Sequence, residues 1–515
     1  MPFTKESSRS EASRANILLY LSAFVAFLGV PLFFYTTSIH RAHLPAEEVQ
    51  QRSATFSKDT RFQIPVYVQS WSDSKDIITQ TQSVIDASLV QKNLHHAWGL
   101  VLKAGDTTTI DKTQDYSVKF EQGAPSPETN EDAQLSYNFS PVSKEITVFW
   151  SPPSASSSPA TEKLATYASE VLLEVIFKEE LAAISNTLSD AHSADVVFPY
   201  SPTYNVVFNL FVEDGRPVNW QIDEAIEFIQ PIFDALGNFC TFRVSSQVHY
   251  YSRLHNEPMF NEDHSARIIS QSDLSTFINY GEWNLNTHDI APSINFLVFF
   301  PKSNYENIPL LVENSRSNSF LIPQWGGVHI FNTKNAVDKT STFELTQADL
   351  EPVFDGFASQ LFELLGVPKA PSSPLLRVAS FHRMATLKNL KRSLSNLSAL
   401  LKISNSLNGI SIPESTKANV EDSIENYDKA IEKLHSNEFG ASVAYAAKSV
   451  EKSDKAFFEK EMVQQAYFPS EHKLAVFSPL LGPICSIVFF GLVKYIKSQK
   501  DKKAKESEEA QKKEI

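Results

Sequence analysis

The stretch YNVVFNLFVEDGRPVNWQIDEAIEFIQPIFDALGNFCTFRVSSQVHY, residues 204–250, decides the fold. Tyr204, Val206, Phe208, Leu210 and Val212 alternate with Asn205, Asn209 and Glu213, the period of a strand with one wetter face. Ile222, Ala225, Ile226, Ile229, Ile232, Phe233 and Leu236 then recur at three- and four-residue steps, the apolar stripe of a helix that Pro231 is placed to bend. Phe242, Val244, Ser246, Val248 and Tyr250 alternate again, with Thr241, Arg243, Gln247 and His249 between them. Strand, helix and strand on short joints predict a βαβ unit. Residues 294–300 form a continuous apolar run, as a central strand does, and 328–331 read as a further strand.

Upstream, 61–70 alternate near period two, and 74–93 place Ile77, Ile78, Val84, Ile85 and Leu89 on one helix side. Residues 97–103 and 145–150 are further strand candidates, and a strong helix is expected over 161–188. The acidic, Pro-containing run 121–134 and the segment SPPSASSSP at 151–159 are loops. Downstream, the chain turns helical from about 346. Met384, Leu387, Leu390, Leu394, Leu397 and Leu401 make one stripe, and Val420, Ile424, Tyr427, Ile431 and Leu434 a second. A third helix runs from about 437 to 463, completing a three-helix packing unit. The expected class is α/β or α+β: a mixed-sheet domain over 37–375, then a helical unit over 376–473.

Both flanks are apolar. Residues 17–35 (ILLYLSAFVAFLGVPLFFY) carry no charge and match the thickness of a hydrocarbon core. That run is too long for a signal-peptide core, and no clean small-x-small site follows, so a retained span over 16–36 is expected. Residues 474–493 are also uncharged, with Pro479 and Pro483 in the first half. Lys494, Lys497, Lys500, Lys502, Lys503 and Lys505 follow, and basic residues beside a span tend to stay cytoplasmic. Two spans put residues 1–15 and the basic tail 494–515 in the cytoplasm and the bulk of the chain in the lumen.

The formal net charge is −14, although the tail 494–515 holds eight lysines against five acids. An acidic body argues against nucleic acid as a partner. Of the two cysteines, Cys485 lies in the second apolar run, so it does not pair with Cys240. An acyl-transfer site needs a nucleophile, a base and an oxyanion hole. Cys240 opens an alternating strand between Phe239 and Phe242 and reads as a buried core thiol. No G-x-S-x-G and no H-E-x-x-H occurs. Glu262-Asp263-His264 and His95-His96 lack further ligands at useful spacing and read as solvated residues. No catalytic residue, cofactor or metal is expected.

Pro323-Gln324-Trp325-Gly326-Gly327 is the candidate contact loop. Paired glycines permit positive φ and close backbone approach. Trp325 either packs on a partner or glycan, or fills a gap in the core. Asn138-Phe139-Ser140 and Asn396-Leu397-Ser398 are glycosylation triplets, with Asn396 off its leucine stripe and so expected to be accessible. Lys512 and Lys513, fourth and third from the end, read as a retrieval signal on a cytoplasmic tail.

Several of these stretches resemble the phosphatidylinositol-glycan class S (PIG-S) family: 204–213 with 220–226, 238–251 (NFCTFRVSSQVHYY), 277–284 (FINYGEWN), 317–332 (SNSFLIPQWGGVHIFN) and 456–483. They stand in the family's order, with an apolar span at each end. The resemblance implies a subunit of the glycosylphosphatidylinositol (GPI) transamidase of the endoplasmic reticulum membrane, in a hetero-oligomer. It also implies that cysteine-protease-like chemistry resides in another subunit, and that this chain supports anchor attachment without catalysing it. Two other readings stay open: a lumenal hydrolase or transferase acting on lipid-linked glycan, and an adaptor for GPI-anchored cargo.

Overall fold

The computed structural model describes residues 8–37, 40–69, 74–106, 110–123, 135–150, 160–189, 198–277, 291–302, 308–333, 342–406, 410–462 and 471–513. The chain divides into two compact units. A terminal unit holds Met1–Ala46, Asn396–Glu421 and Asp454–Ile515, and a central unit holds Glu47–Ser395 and Asp422–Ser453. The architecture is mixed α/β, with mixed sheets and many helices.

The first described elements are helix α1 (Ser8–Phe24), a π-helical turn (Val25–Gly29) and helix α2 (Val30–Thr37). Within this run, Ser13–Phe33 is long and apolar enough to cross a membrane, and it is the one such helix among the described residues.

The central unit begins with α3 (Ala46–Asp59), mostly within it, and β1 (Phe62–Gln69). Next come α4 (Ser74–Gln91), β2 (Trp98–Gly105), β3 (Tyr116–Gln122), β4 (Leu135–Phe139) and β5 (Glu145–Trp150). A helix broken into α5 (Ala160–Glu170), a π-helical stretch (Val171–Ile176) and α6 (Lys178–Leu188) closes this part. The break falls at Phe177, whose buried ring sits edge-on to Trp98 with centroids 5.2 Å apart. The sheet order is β2-β1-β3-β5-β4, parallel throughout except for the edge strand β4. Even-numbered residues of β1, β2, β3 and β5 face α4 and α5 in one apolar core.

The second part repeats this plan with insertions. It comprises β6 (Thr203–Val212), β7 (Val218–Trp220), α7 (Ile222–Leu236), β8 (Thr241–Tyr250), β9 (Met259–Phe260) and β10 (Arg267–Ile269). Then come β11 (Ser293–Phe300), β12 (Leu310–Val312), β13 (Ser319–Ile322), β14 (Gly326–Ile330), β15 (Phe343–Leu345) and α8 (Gln347–Leu365). The main sheet runs β8-β6-β11-β14-β13. Counting its strands in chain order gives 2-1-3-5-4, the order of the first sheet. All neighbours are parallel except the hairpin at the β13 edge. In both parts a helix joins the first two strands, and a second helix, following the fifth strand, packs beside the first helix. The central unit therefore contains a structural repeat, 62–188 and 203–365, which the residue pattern had not disclosed.

The strand expected to have one wetter face is buried on both. Asn209 is fully buried in β6 and Glu213 nearly so. The reason is the insertions: β9, β10 and β12 form a small sheet, and Ile269, Leu310, Val312 and Phe277 pack with Phe211, Leu297 and Phe299 on the face away from α7.

Three helices follow: α9 (Pro374–Ser406), α10 (Glu414–His435) and α11 (Phe439–Phe457). Leu376, Ala379 and Leu387 of α9 join the first repeat's core, while Val378, Phe381 and Ala385 join the second's. Ser393, Ser423 and Ser449, one from each helix, are buried and bond to one another at 2.8–3.3 Å. Small hydroxyls let the three helices approach closely while each polar atom keeps a partner.

Helix α12 (Glu471–Lys513) runs unbroken through Pro479 and Pro483. In the terminal unit it lies antiparallel to α1 and α2. Leu18 packs on Gly491, where a Cβ would meet Leu18 Cδ1 at 2.0 Å, and the Phe33 and Phe477 rings meet edge-on at 5.4 Å. Beyond the first helices, His40 and Ala42 exchange 2.9 Å backbone bonds with Ile412, and Arg41 Nη2 donates to Ser404.

Candidate functional site

The loop 323–327 is the turn of the β13–β14 hairpin. Trp325 N–H donates to Ile322 O at 3.2 Å, with Pro323 and Gln324 at the two central positions. Pro323 suits the first of these, and Gln324 takes φ 59° at the second, the left-handed position of a type II turn, where glycine is favoured. Gly326 has φ 152°, and a Cβ there would lie 1.7 Å from Asn295 O on β11. A Cβ on Gly327 would lie 1.9 Å from Gln360 Oε1 on α8. The paired glycines thus let β14 fit tightly against its neighbours. Trp325 is only 5% exposed, packed with Phe211, Leu297, Phe299 and Phe320. Of the two readings of this loop the burial favours the core one for Trp325: Trp325, Gly326 and Gly327 are buried, and Pro323 and Gln324 are exposed. A tryptophan pays off more apolar area inside than a turn tip leaves for it outside.

The two glycosylation triplets differ. Asn138 is exposed on β4, the outermost strand of the first sheet. Asn396 is half-buried in α9, and its Nδ2 donates to Asp454 Oδ1 at 2.6 Å. The access expected for Asn396 is thus restricted by a tertiary contact. Lys512 and Lys513 end α12, and residues 514–515 lie outside the described residues. Of the family-like stretches, 278–284 and 463–470 also lie outside them.

Cys240 is 4% exposed in the second repeat's core, and burial pushes its thiol pKa up, away from the thiolate a nucleophile needs. His264 sits at φ 53° in the turn before β10 and stacks on Phe260. The His95 and His96 rings meet edge-on at 5.5 Å. Among the described residues no three His, Cys, Asp or Glu side chains are grouped to hold a metal. A small cavity lined by Leu254, Asn256, Ile269 and Phe277 measures about 20 Å³, room for one water.

The charged cluster that sequence reading missed is internal. Arg383 of α9 and Glu180 of α6 are both fully buried and bond at 2.8 and 2.6 Å. Tyr116 OH accepts from Arg383 at 3.0 Å, and Trp98 Nε1 donates to Glu180 at 3.0 Å. Burial opposes the guanidinium charge, but Glu180 and Tyr116 outweigh it and raise the pKa of Arg383 above its ordinary value. Its neighbour His382 is held down to about 4, by burial first and then by the positive charges of Lys144 and Arg383. The pair lies 203 residues apart in sequence, and neither residue belongs to a recognisable motif. It fastens α9 to the first sheet.

Fold and site define a mixed α/β protein that carries a membrane-length apolar helix near its N-terminus. The chain belongs to the phosphatidylinositol-glycan biosynthesis class S protein (PIG-S) family, whose model matches residues 20–502. Among named relatives, it is 28% identical to GPI transamidase component GPI17 of Saccharomyces cerevisiae, over 96% of this chain and 95% of that protein. It is 25% identical to a GPI transamidase component PIG-S homolog of Schizosaccharomyces pombe, over 95% of this chain and 85% of that one. It is 23% identical to GPI-anchor transamidase component PIGS of Rattus norvegicus, over 92% and 94%.

Proposed function

We infer that this chain is a component of the GPI transamidase complex and works there without supplying a reacting group. The observation that carries the reading is end-to-end similarity to relatives named as components of that complex. The deep burial and raised pKa of Cys240 favour a supporting role over a nucleophilic one. Holding partners in register over the membrane affects rate through positioning alone.

In this reading the chain spans the endoplasmic reticulum membrane twice, with both termini cytoplasmic and the α/β body lumenal. The antiparallel packing of α12 on α1 and α2 supports it. Helix α12 is about 65 Å long at 1.5 Å per residue, enough to cross a ~30 Å hydrocarbon core and carry its lysines beyond it. Asn138 is then the better glycan acceptor of the two, and Lys512 and Lys513 form the retrieval signal.

Purification of the tagged chain in mild detergent tests the assignment. Stoichiometric recovery of a cysteine-protease-like subunit and other transamidase components is expected. Recovery of the chain alone, with turnover of a GPI or lipid-linked glycan substrate, would overturn it. Protease protection on sealed microsomes tests the topology: the turn at Gln324 should be shielded and the tail beyond Lys494 digested.

A further inference from the structure

Strand β8 ends the second main sheet, and among the described residues no strand lies on its far side. Thr241 N–H donates to Pro202 O, so in this parallel ladder odd-numbered residues of β8 bond β6. The peptide groups of Phe242, Val244, Ser246, Val248 and Tyr250 therefore point outward. Residues 245–248 are exposed along the middle of the strand.

In the first repeat the same edge is capped at its middle. Its equivalent strand is β2, where Gln82 of α4 donates to Leu100 O and accepts from Leu102 N–H, each at 2.9 Å. One side-chain amide thus stands in for a neighbouring peptide. Among the described residues no side chain caps β8 in this way. The strand also lacks the usual devices against edge pairing: its ten residues hold no Pro, Gly or Lys, and Arg243 is their one permanent charge. Val248, Tyr250 and the adjoining Tyr251 are 39%, 44% and 69% exposed.

We propose that β8 is a docking edge for an extended segment of another component of the same assembly, which adds a sixth strand to this sheet. This rests on the reading of the chain as a transamidase component. Outward N–H and C=O groups alternating along ten residues are complementary to a backbone, and this gives affinity, while flanking side chains set register. On one side Val244, Val248 and Tyr250 favour apolar partners. On the other Arg243, exposed and joined to no carboxylate among the described residues, favours an acidic residue on the incoming strand. The occupant is thus a segment with alternating apolar and polar residues and an acid on its polar side.

The test uses the full chain in its membrane complex. A photo-crosslinking residue is placed in turn at Val244, Ser246 and Val248. Crosslinks to residues two apart in a single segment of one other component are expected. Ser246→Pro, which removes an outward N–H and spares the bonds to β6, should abolish these crosslinks and lower recovery of that component at least tenfold. Val248→Lys should act likewise through an edge charge, and Ser246→Ala should change neither. Crosslinks to a second copy of β8, to residues 278–290 of this chain, or to none would overturn the proposal, as would unchanged recovery with Ser246→Pro. If the unsubstituted chain recovers no transamidase component at all, the functional reading itself fails, and the two failures are distinguishable.

Discussion

The first and second repeats share one strand order, one pattern of strand directions and one placement of helices, yet they manage burial in opposite ways. In the first, the edge strand β2 is capped by Gln82, and one core position holds a buried ion pair, Arg383–Glu180. In the second, the core centres on phenylalanines, with Phe208 stacked on Phe354 at 4.8 Å and on Phe296 at 5.6 Å. There the far face is covered by inserted strands, while among the described residues no strand or side-chain cap covers the edge at β8. A topology therefore specifies which backbone groups need partners and leaves the side chains free to choose them. The repeat whose edge strand β8 has no neighbour beyond it among the described residues is the one proposed to recruit a strand from elsewhere.

The comparison breaks most readily at its buried charges. Arg383→Ala should cost about 3–5 kcal/mol in unfolding free energy, because Glu180 is left buried and unpaired. Replacing both residues by methionine should recover most of that loss. Denaturant unfolding of the detergent-solubilised protein measures both, and a loss under ~1 kcal/mol for Arg383→Ala would remove the claimed difference between the cores.

Acid provides the second break. His382 on α9 and His329 on β14 are each lowered to about 4, His329 by burial alone. Below an unfolded pKa of about 6.5, the unfolded chain binds protons that the folded one refuses. Stability should therefore fall as pH drops from about 6.5 to about 4, by up to about 3 kcal/mol for His382. His382→Gln should flatten that part of the stability–pH curve, and an unchanged slope would show that the ring is not buried neutral.

Gln82→Ala should cost about 1–2 kcal/mol by freeing two peptide groups of β2. It should also make the first repeat's edge resemble the second's, read as faster amide exchange at Leu102. The smallest effect is expected at the turn: Gln324→Gly should gain about 0.5–1 kcal/mol by relieving a left-handed residue, at some cost in unfolded-state entropy.

Much of this was legible in the residues. Alternation and three-to-four spacing placed β6, α7, β8 and β11, because side-chain period follows directly from backbone geometry. The apolar run at the N-terminus and the leucine stripe of α9 were visible for the same reason. The strands β3, β4 and β7, and the small sheet of β9, β10 and β12, were not, being short or set among polar residues. The candidate site was readable only as a list. That Trp325 is core while Gln324 is exposed depends on where β14 packs. That Asn396 is tied down while Asn138 is exposed depends on Asp454, 58 residues from Asn396.

By itself the sequence determined the local periods, the apolar flanks, the acidic body and the family, since each is carried by neighbouring residues or by their order. Only the tertiary structure decided that two α/β halves share a plan, that Arg383 meets Glu180, and that Gln82 caps β2 where no described residue caps β8. Those facts depend on which strand becomes central and which becomes an edge. That choice is made by contacts between residues far apart in the chain, which no local pattern records.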